Sequence, residues 1–383
     1  MKKILLYTFL FIIILTIGYF TTNYLVSMKI EKLLNERSAV NYQEIHINTF
    51  SGNLKLKGFH FDDGVQNAKV RDLNVSVDIF AYLRNNNIKI ESIDADDVDL
   101  NITRSTDSKN DRSVDLDTLD IDKIQISNVE LNLKDESKKI LEVKGLNLQA
   151  ENLSWPLEGD YQWISNSNLK VDASALKYDL DALHFLRSDN FTFDKTSLSF
   201  TDFAIQPKYS KSDYIDHIKT EKDLINLKTT SLALTGFDLK KEEDEKLRLH
   251  IPNIKINDSD VNIYRDKTIP DDRSIKPLYS QALRELGFQL QVDTLLLADL
   301  DLTYQELLNK NEKTCEIKFN AINGQVTNLH NSIASKNPEI KAGFKGKFTA
   351  NSMIDLRLSF VPDHERFYVS TFLKNVKDQA VNG

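Results

Sequence analysis

Several residue types are scarce here, and each scarcity excludes something. One cysteine, Cys315, in 383 residues rules out an internal disulfide and every Cys-rich zinc centre. Twelve Gly and seven Pro exclude collagen-like and low-complexity chains and leave few positions for phosphate-cradling loops. A basic excess is also missing: 49 Lys+Arg stand against 57 Asp+Glu, a net charge of −8, so no nucleic-acid partner is expected. The seven His residues form no His-x-x-x-His or His/Cys pair, and no metal is expected. Gly-x-Ser-x-Gly, the P-loop and Gly-x-Gly-x-x-Gly do not occur. The acidic run from Asp94 to Asp99 lacks the Gly and Glu of a calcium loop, carrying Asp99 and Ser105 there, and reads as a solvated strand face. No pair of chemically competent residues stands out, so the chain is expected to be no enzyme and to use no cofactor.

What is present describes a folded chain, 41% hydrophobic and 28% charged. Residues 4–26 carry no charged side chain, and at ~1.5 Å per residue they reach about 35 Å as a helix, enough for a hydrocarbon core. The run exceeds a signal-peptide core and no small-x-small cleavage site follows it. The expectation is a transmembrane anchor over 4–26, with residues 1–3 as a cytoplasmic tail. Residues 27–40 form a juxtamembrane helix or linker with Ile30, Leu33 and Leu34 on one face. The region 41–383 is one translocated portion.

That portion alternates with period two, as half-buried strands do. Four stretches share a longer template, apolar at positions one, three, six, eight, eleven and thirteen. Ile88, Ile90, Ile93, Ala95, Val98 and Leu100 form one copy, and Leu119, Ile121, Ile124, Ile126, Val129 and Leu131 form another. Leu249, Ile251, Ile254, Ile256, Ser259 and Val261 form a third, Ser259 being its exception; Leu290, Val292, Leu295, Leu297, Leu300 and Leu302 form a fourth. Asp97, Asn128, Asp258 and Asp299 precede the eleventh position, and an acidic residue follows it each time. Phe193 to Ile205 and Leu227 to Leu239 match each other more weakly, and Leu141, Val143, Leu146 and Leu148 supply a partial copy.

The phase of alternation shifts twice within the template, at polar residues that suit a tight turn or a bulge. Turns at Asp96-Asp97, Ser127-Asn128, Asn257-Asp258 and Ala298-Asp299 would make each copy a hairpin with one apolar face. Helical patterns are few: Ser212 to Asp223, Pro277 to Leu286 and Leu180 to Arg187. They cannot cover roughly 20 strands spaced ~4.8 Å apart. Barrel, sandwich and trough all bury such a face; the even series of hairpins favours the trough. The expected fold class is therefore mainly β, a transmembrane helix followed by an elongated, curled antiparallel sheet with a few short helices. Of the two organisations that the length permits, two domains or one array, the repeat favours the array. Cys315 is expected as a small buried residue, Trp155 and Trp163 as packing anchors, and the loop Tyr264 to Leu278 as a crossover. Its Arg265, Lys267, Arg273 and Lys276 are expected to pair with Asp266, Asp271 and Asp272.

The anchor, the unit IHINTFSGNLKLKGFHFDD, the hairpin-like IESIDADDVDLNI, and IYRDKTIPDDRSIKPLYSQALREL followed by LTYQE together resemble the AsmA-like family of Gram-negative envelope proteins. TamB and YhdP belong with that family, eukaryotic chorein-type bridges are related, and the likeness is to its Bacteroidetes-type members. The resemblance covers nearly the whole chain but rests on apolar patterns, and no catalytic residue carries over. It implies an inner-membrane anchor, a periplasmic β-groove (β-taco), and a role in outer-membrane lipid homeostasis through binding or conducting phospholipid acyl chains. Bridge-type relatives run longer, which leaves open whether Gly383 is the natural C-terminus. The expected groove lining is Ile88, Ile90, Ile93, Val98 and Leu100; Ile121, Ile124, Ile126, Val129 and Leu131; Ile251, Ile254, Ile256 and Val261; and Val292, Leu295, Leu297, Leu300 and Leu302. The partner expected is membrane lipid. The alternative function is a non-catalytic envelope scaffold that binds proteins through its sheet surface or edges.

Overall fold

A computed structural model describes residues 39–376 except 80, 82–88, 105–118, 136–137, 156–161, 243–245, 276, 310–313, 333–338 and 349–351, together with 16, 23–25, 27–32 and 34. Most of the expected anchor, 4–15, 17–22 and 26, lies outside the described residues. Among those described, no helix is long and apolar enough to cross a membrane. The chain is mainly β, with 20 strands among the described residues, and its contacts divide it into two compact units.

Unit 1 comprises Met1–Glu158 with Asn166–Asp172. Its strands are β1 (Val40–Asn41), β2 (Glu44–Asn48), β3 (Asn53–Asp62), β4 (Gln66–Val77), β5 (Lys89–Arg104), β6 (Leu119–Asp135) and β7 (Lys138–Trp155). Pairing is antiparallel from β2 to β5 and from β6 to β7, but β5 and β6 run parallel. The start of β8 (Lys170–Ala173) pairs with β7.

Unit 2 comprises Gly159–Ser165 with Ala173–Gly383. After α1 (Gln162–Asn166) come β9 (Ala175–Asp179), β10 (His184–Ser188), β11 (Asn190–Asp194), β12 (Ser197–Pro207), β13 (Leu224–Thr235), β14 (Asp238–Lys241) and β15 (Leu247–Asp266). Then follow α2 (Tyr279–Arg284), β16 (Gln289–Leu307), β17 (Cys315–His330), β18 (Ile340–Phe348), β19 (Ser352–Phe360) and β20 (Phe367–Lys374). Here too, among the described residues, a single pair, β15 with β16, is parallel within an antiparallel series.

Two expectations are corrected. The sheets are mixed rather than antiparallel, and the template copies are single long strands rather than hairpins. Asp97, Asn128, Asp258 and Asp299 adopt φ of 51, 53, 50 and 55°, inside strands that continue on both sides. Each is a bulge-like break that kinks its strand without reversing it; Asn128 and Asp299 carry the register shift of a bulge, whereas opposite Asp97 and Asp258 the antiparallel partners β4 and β13 keep their register. Asp and Asn suit these breaks because a short polar side chain tolerates the left-handed conformation. The parallel pairing accounts for the repeat itself. Copies one and two lie in register, Ile90 opposite Ile121, Ile93 opposite Ile124, Val98 opposite Val129 and Leu100 opposite Leu131. Copies three and four do the same, from Leu249 opposite Leu290 to Val261 opposite Leu302. Partners that bulge at the same place stay in step, whereas the antiparallel neighbours β7 and β17 shift register there.

A bulge frees a backbone N–H, and neighbouring side chains accept it. Asn128 N donates to Asn147 Oδ1 at 3.1 Å, Asp299 N to Asn323 Oδ1 at 3.2 Å, and Ala321 N to Asp301 Oδ1 at 2.8 Å.

A parallel pair needs a return connection. From Asp266 back to the start of β16, beside Arg248, is roughly 60 Å at ~3.3 Å per residue. Residues 267–288 must therefore run nearly extended, which leaves room only for the short α2 of the helix expected over Pro277 to Leu286. The other helical patterns resolve as a 3-10 turn at Tyr214–His217 and, for Leu180 to Arg187, as a bend that leads into strand β10 at His184. Cys315 is exposed rather than buried.

Candidate functional site

The template residues assemble into rows across the strands. In unit 1, Ile47, Leu54, Val75, Ile93, Ile124 and Ala150 lie side by side from β2 to β7. Beside them run Ile45, Leu56, Leu73, Ala95, Ile126 and Leu148. Unit 2 carries longer rows. One is Leu198, Leu234, Ile254, Leu295, Val326, Ala342, Leu358 and Val369; the next contains Phe200, Leu232, Ile256, Leu297, Phe344 and Leu356. Counted from β11 to β20 without β14, unit 2 has eight steps between paired strands, roughly 38 Å at ~4.8 Å each.

Of the expected lining residues, Ile88 lies outside the described residues. Val129, Ile251 and Val292 are buried, and the others are half-buried. The apolar stripe is thus sealed along particular rows and partly open elsewhere. The aromatic core of unit 2 does not cover it. Tyr214, Leu183, Leu224 and Tyr264 cluster together, and Leu224 stands opposite Tyr264, one residue out of phase with the stripe residues Ile225 and Ile263. The segment around Tyr214 therefore packs on the other face.

Tyr214 is fully buried, and its hydroxyl accepts a hydrogen bond from Asp266 N at 2.9 Å. Burial pushes its phenol up to about 12. An unfolded phenol ionises near 10, so this stabilisation is complete below that pH and is lost as pH rises through about 12, a span worth roughly 3 kcal/mol. Tyr214→Phe is expected to cost about 1–2 kcal/mol at pH 8, because Asp266 N–H loses its acceptor, yet to flatten the alkaline loss. Urea unfolding at pH 8, 10 and 11.5 checks both effects.

The stripe of unit 2 ends on a polar cluster that sequence reasoning missed. Arg265 grips Asp223 with two hydrogen bonds of 2.7 Å, from Nε and Nη2. Those bonds hold the guanidinium above its already high pKa. Tyr304, on the stripe face beside Ile263 and Ile317, donates to Glu306 Oε1 at 2.6 Å. Burial, then that bond, pushes its phenol up to about 12. Lys267 pairs with Glu221 at 2.7 Å. Arg265 and Lys267 therefore find partners in the segment before β13, not within their own loop, because the pairing of β13 with β15 brings residues 221–223 alongside. Arg273 is exposed, and Lys276 lies outside the described residues. Trp163 is half-buried in α1.

On the opposite face, the concavity of about 930 Å³ around Gly343 mixes Lys341, Lys345 and Arg357 with Glu339 and Asp355. Asp355 lies 3.3 Å from Arg357 and 3.7 Å from Lys345, so these charges are largely satisfied among themselves. No group of His, Cys, Asp and Glu suited to a metal occurs among the described residues. The chain matches no protein-family model and no curated protein sequence.

Proposed function

We propose that the chain is a membrane-anchored periplasmic groove protein that binds or conducts phospholipid acyl chains along its apolar stripe, as its resemblance to AsmA-like proteins implies. One observation carries the reading: apolar residues from consecutive strands stand in unbroken rows, yet most remain half-buried instead of closing into a core. A fold needs no such continuity to be stable. Each acyl CH₂ taken from water onto these rows gains about 0.8 kcal/mol, so a chain lying across several strands is held by many weak contacts and slides without meeting a high barrier. Headgroups stay in water at the edge of the stripe. The resident groups of this chain supply no chemistry to the lipid, and the action is binding and transfer.

The test is to purify residues 27–383 from cells and identify co-purifying lipid by mass spectrometry, followed by loading with a fluorescent phospholipid. Phospholipid recovered near one or more molecules per chain is the expected result. A lipid-free protein that also refuses the fluorescent lipid would sink the proposal.

A further inference from the structure

The turn between β2 and β3 carries the most exposed phenylalanine among the described residues, Phe50 at 76%. The turn is stiff. Asn48 Oδ1 accepts hydrogen bonds from Phe50 N at 3.1 Å and Ser51 N at 3.2 Å, Gly52 takes a φ of 70°, and Asn48 stands opposite Asn53 where the strands resume. A lone exposed apolar side chain is ordinary. This one is tied to others: Asn23 Oδ1 accepts hydrogen bonds from Thr49 N at 2.8 Å and Thr49 Oγ1 at 3.2 Å, which holds the turn against helical residues 23–25, where Tyr24 is 65% and Leu25 59% exposed.

Asn23 belongs to the charge-free run 4–26, and Asn23 to Val26 spans about 5 Å as a helix. The headgroup layer flanking a hydrocarbon core is ~5–8 Å thick on each side. Where the run crosses a bilayer, a ring one residue from Thr49 reaches that layer, and aromatic side chains are favoured there. Charge agrees: between Ile45 and Phe61 there is no acidic residue, in a chain that carries 57, and Lys55 is exposed. We propose that Phe50 and the turn 49–52 insert into the interfacial layer of the bilayer crossed by residues 4–26, a second point of attachment beside the anchor. The partner is the lipid surface itself, and the contact rests on the reading of 4–26 as an anchor under the proposed function. Its effect falls on the stripe. One helix leaves unit 1 free to swing, whereas two points hold the start of its first row, Ile47 and Leu54, at the membrane surface.

The full chain, reconstituted in vesicles of phosphatidylethanolamine and phosphatidylglycerol, tests this. Cys315→Ser first removes the native exposed thiol. In that background Ser51→Cys and Val65→Cys are each labelled with the fluorophore NBD, and quenching by nitroxide-labelled phospholipid is measured. Val65 lies in the turn at the far end of β3, roughly 30 Å away at ~3.3 Å per residue. The expected result is quenching at least ~3-fold stronger at position 51 than at 65, reduced to the level of 65 by Phe50→Asp and retained by Phe50→Leu, with vesicle flotation the same in every form. Equal quenching at the two positions, or quenching at 51 that Phe50→Asp leaves unchanged, would overturn the proposal while the anchor stands. A parent chain that does not float with the vesicles would overturn the anchor and, with it, the contact.

Discussion

Ile124→Asp and Leu297→Asp are each expected to lower the phospholipid carried by residues 27–383 at least ~10-fold, while Lys123→Asp leaves loading within about twofold. Ile124 stands between Ile93 and Ala150 in its row, and Leu297 between Ile256 and Gly324. Both are half-buried, so a carboxylate there is tolerated by the fold but lies against any acyl chain on the stripe. Setting a charge against hydrocarbon costs several kcal/mol, and about 1.4 kcal/mol is already tenfold in affinity. Lys123 is exposed on the other face, opposite Glu151. Its replacement by Asp creates a like-charge pair worth a few tenths of a kcal/mol and touches no stripe residue. Mass-spectrometric lipid counts on all three variants, alongside their thermal melts, separate lost binding from lost folding. Equal loading in the three would show that the stripe is not where lipid sits.

Asp258→Val combined with Asp299→Val is expected to destabilise unit 2 by about 3 kcal/mol, and the corresponding double glycine variant by less than about 1 kcal/mol. The two aspartates hold φ of 50 and 55° in neighbouring parallel strands. A β-branched residue in that conformation costs roughly 1–2 kcal/mol at each position, whereas Gly adopts it freely. If strain drove the bulges out, Ser259, Val261, Leu300 and Leu302 would turn to the polar face, because a one-residue slip reverses every side chain beyond it. The fold therefore has no cheap escape. Urea midpoints for wild type, Val–Val and Gly–Gly forms give the comparison. Indistinguishable Val and Gly forms would mean that these aspartates owe their place to something other than backbone conformation.

The same bulges mark where reading the chain stops being sufficient. Period-two alternation and the two phase shifts are local facts, and they place Ile93, Ile124, Ile254 and Leu295 on one face whether the shift is a turn or a bulge. Reversal is a different matter. Asp-Asp at 96–97 and Asn-Asp at 257–258 are compatible with either, since both structures want a short polar residue at positive φ. Only pairing separates them: a hairpin would lay each copy's halves against each other, whereas the parallel strand β6 or β16 in register offers a partner along the whole length.

The candidate site was legible to the extent that it is periodic. Its rows come from the template. Its polar end does not, because Asp223 and Arg265 stand 42 residues apart and meet through the pairing of β13 with β15. Nor do Asn147 and Asn323 announce themselves as acceptors for bulged N–H groups, since each serves a neighbouring strand.

The sequence by itself determined the β character, the side to which each aliphatic residue turns, and the places where that alternation breaks. Those properties depend on the geometry of one strand and its nearest residues. Tertiary structure alone decided that the template copies pair in parallel, that their breaks kink a continuous strand rather than reverse it, and that Tyr214 and Tyr264 make a core on the face away from the stripe. Each of these depends on which distant strand lies alongside, and hydrogen-bond pairing between strands is not written in the periodicity of either one.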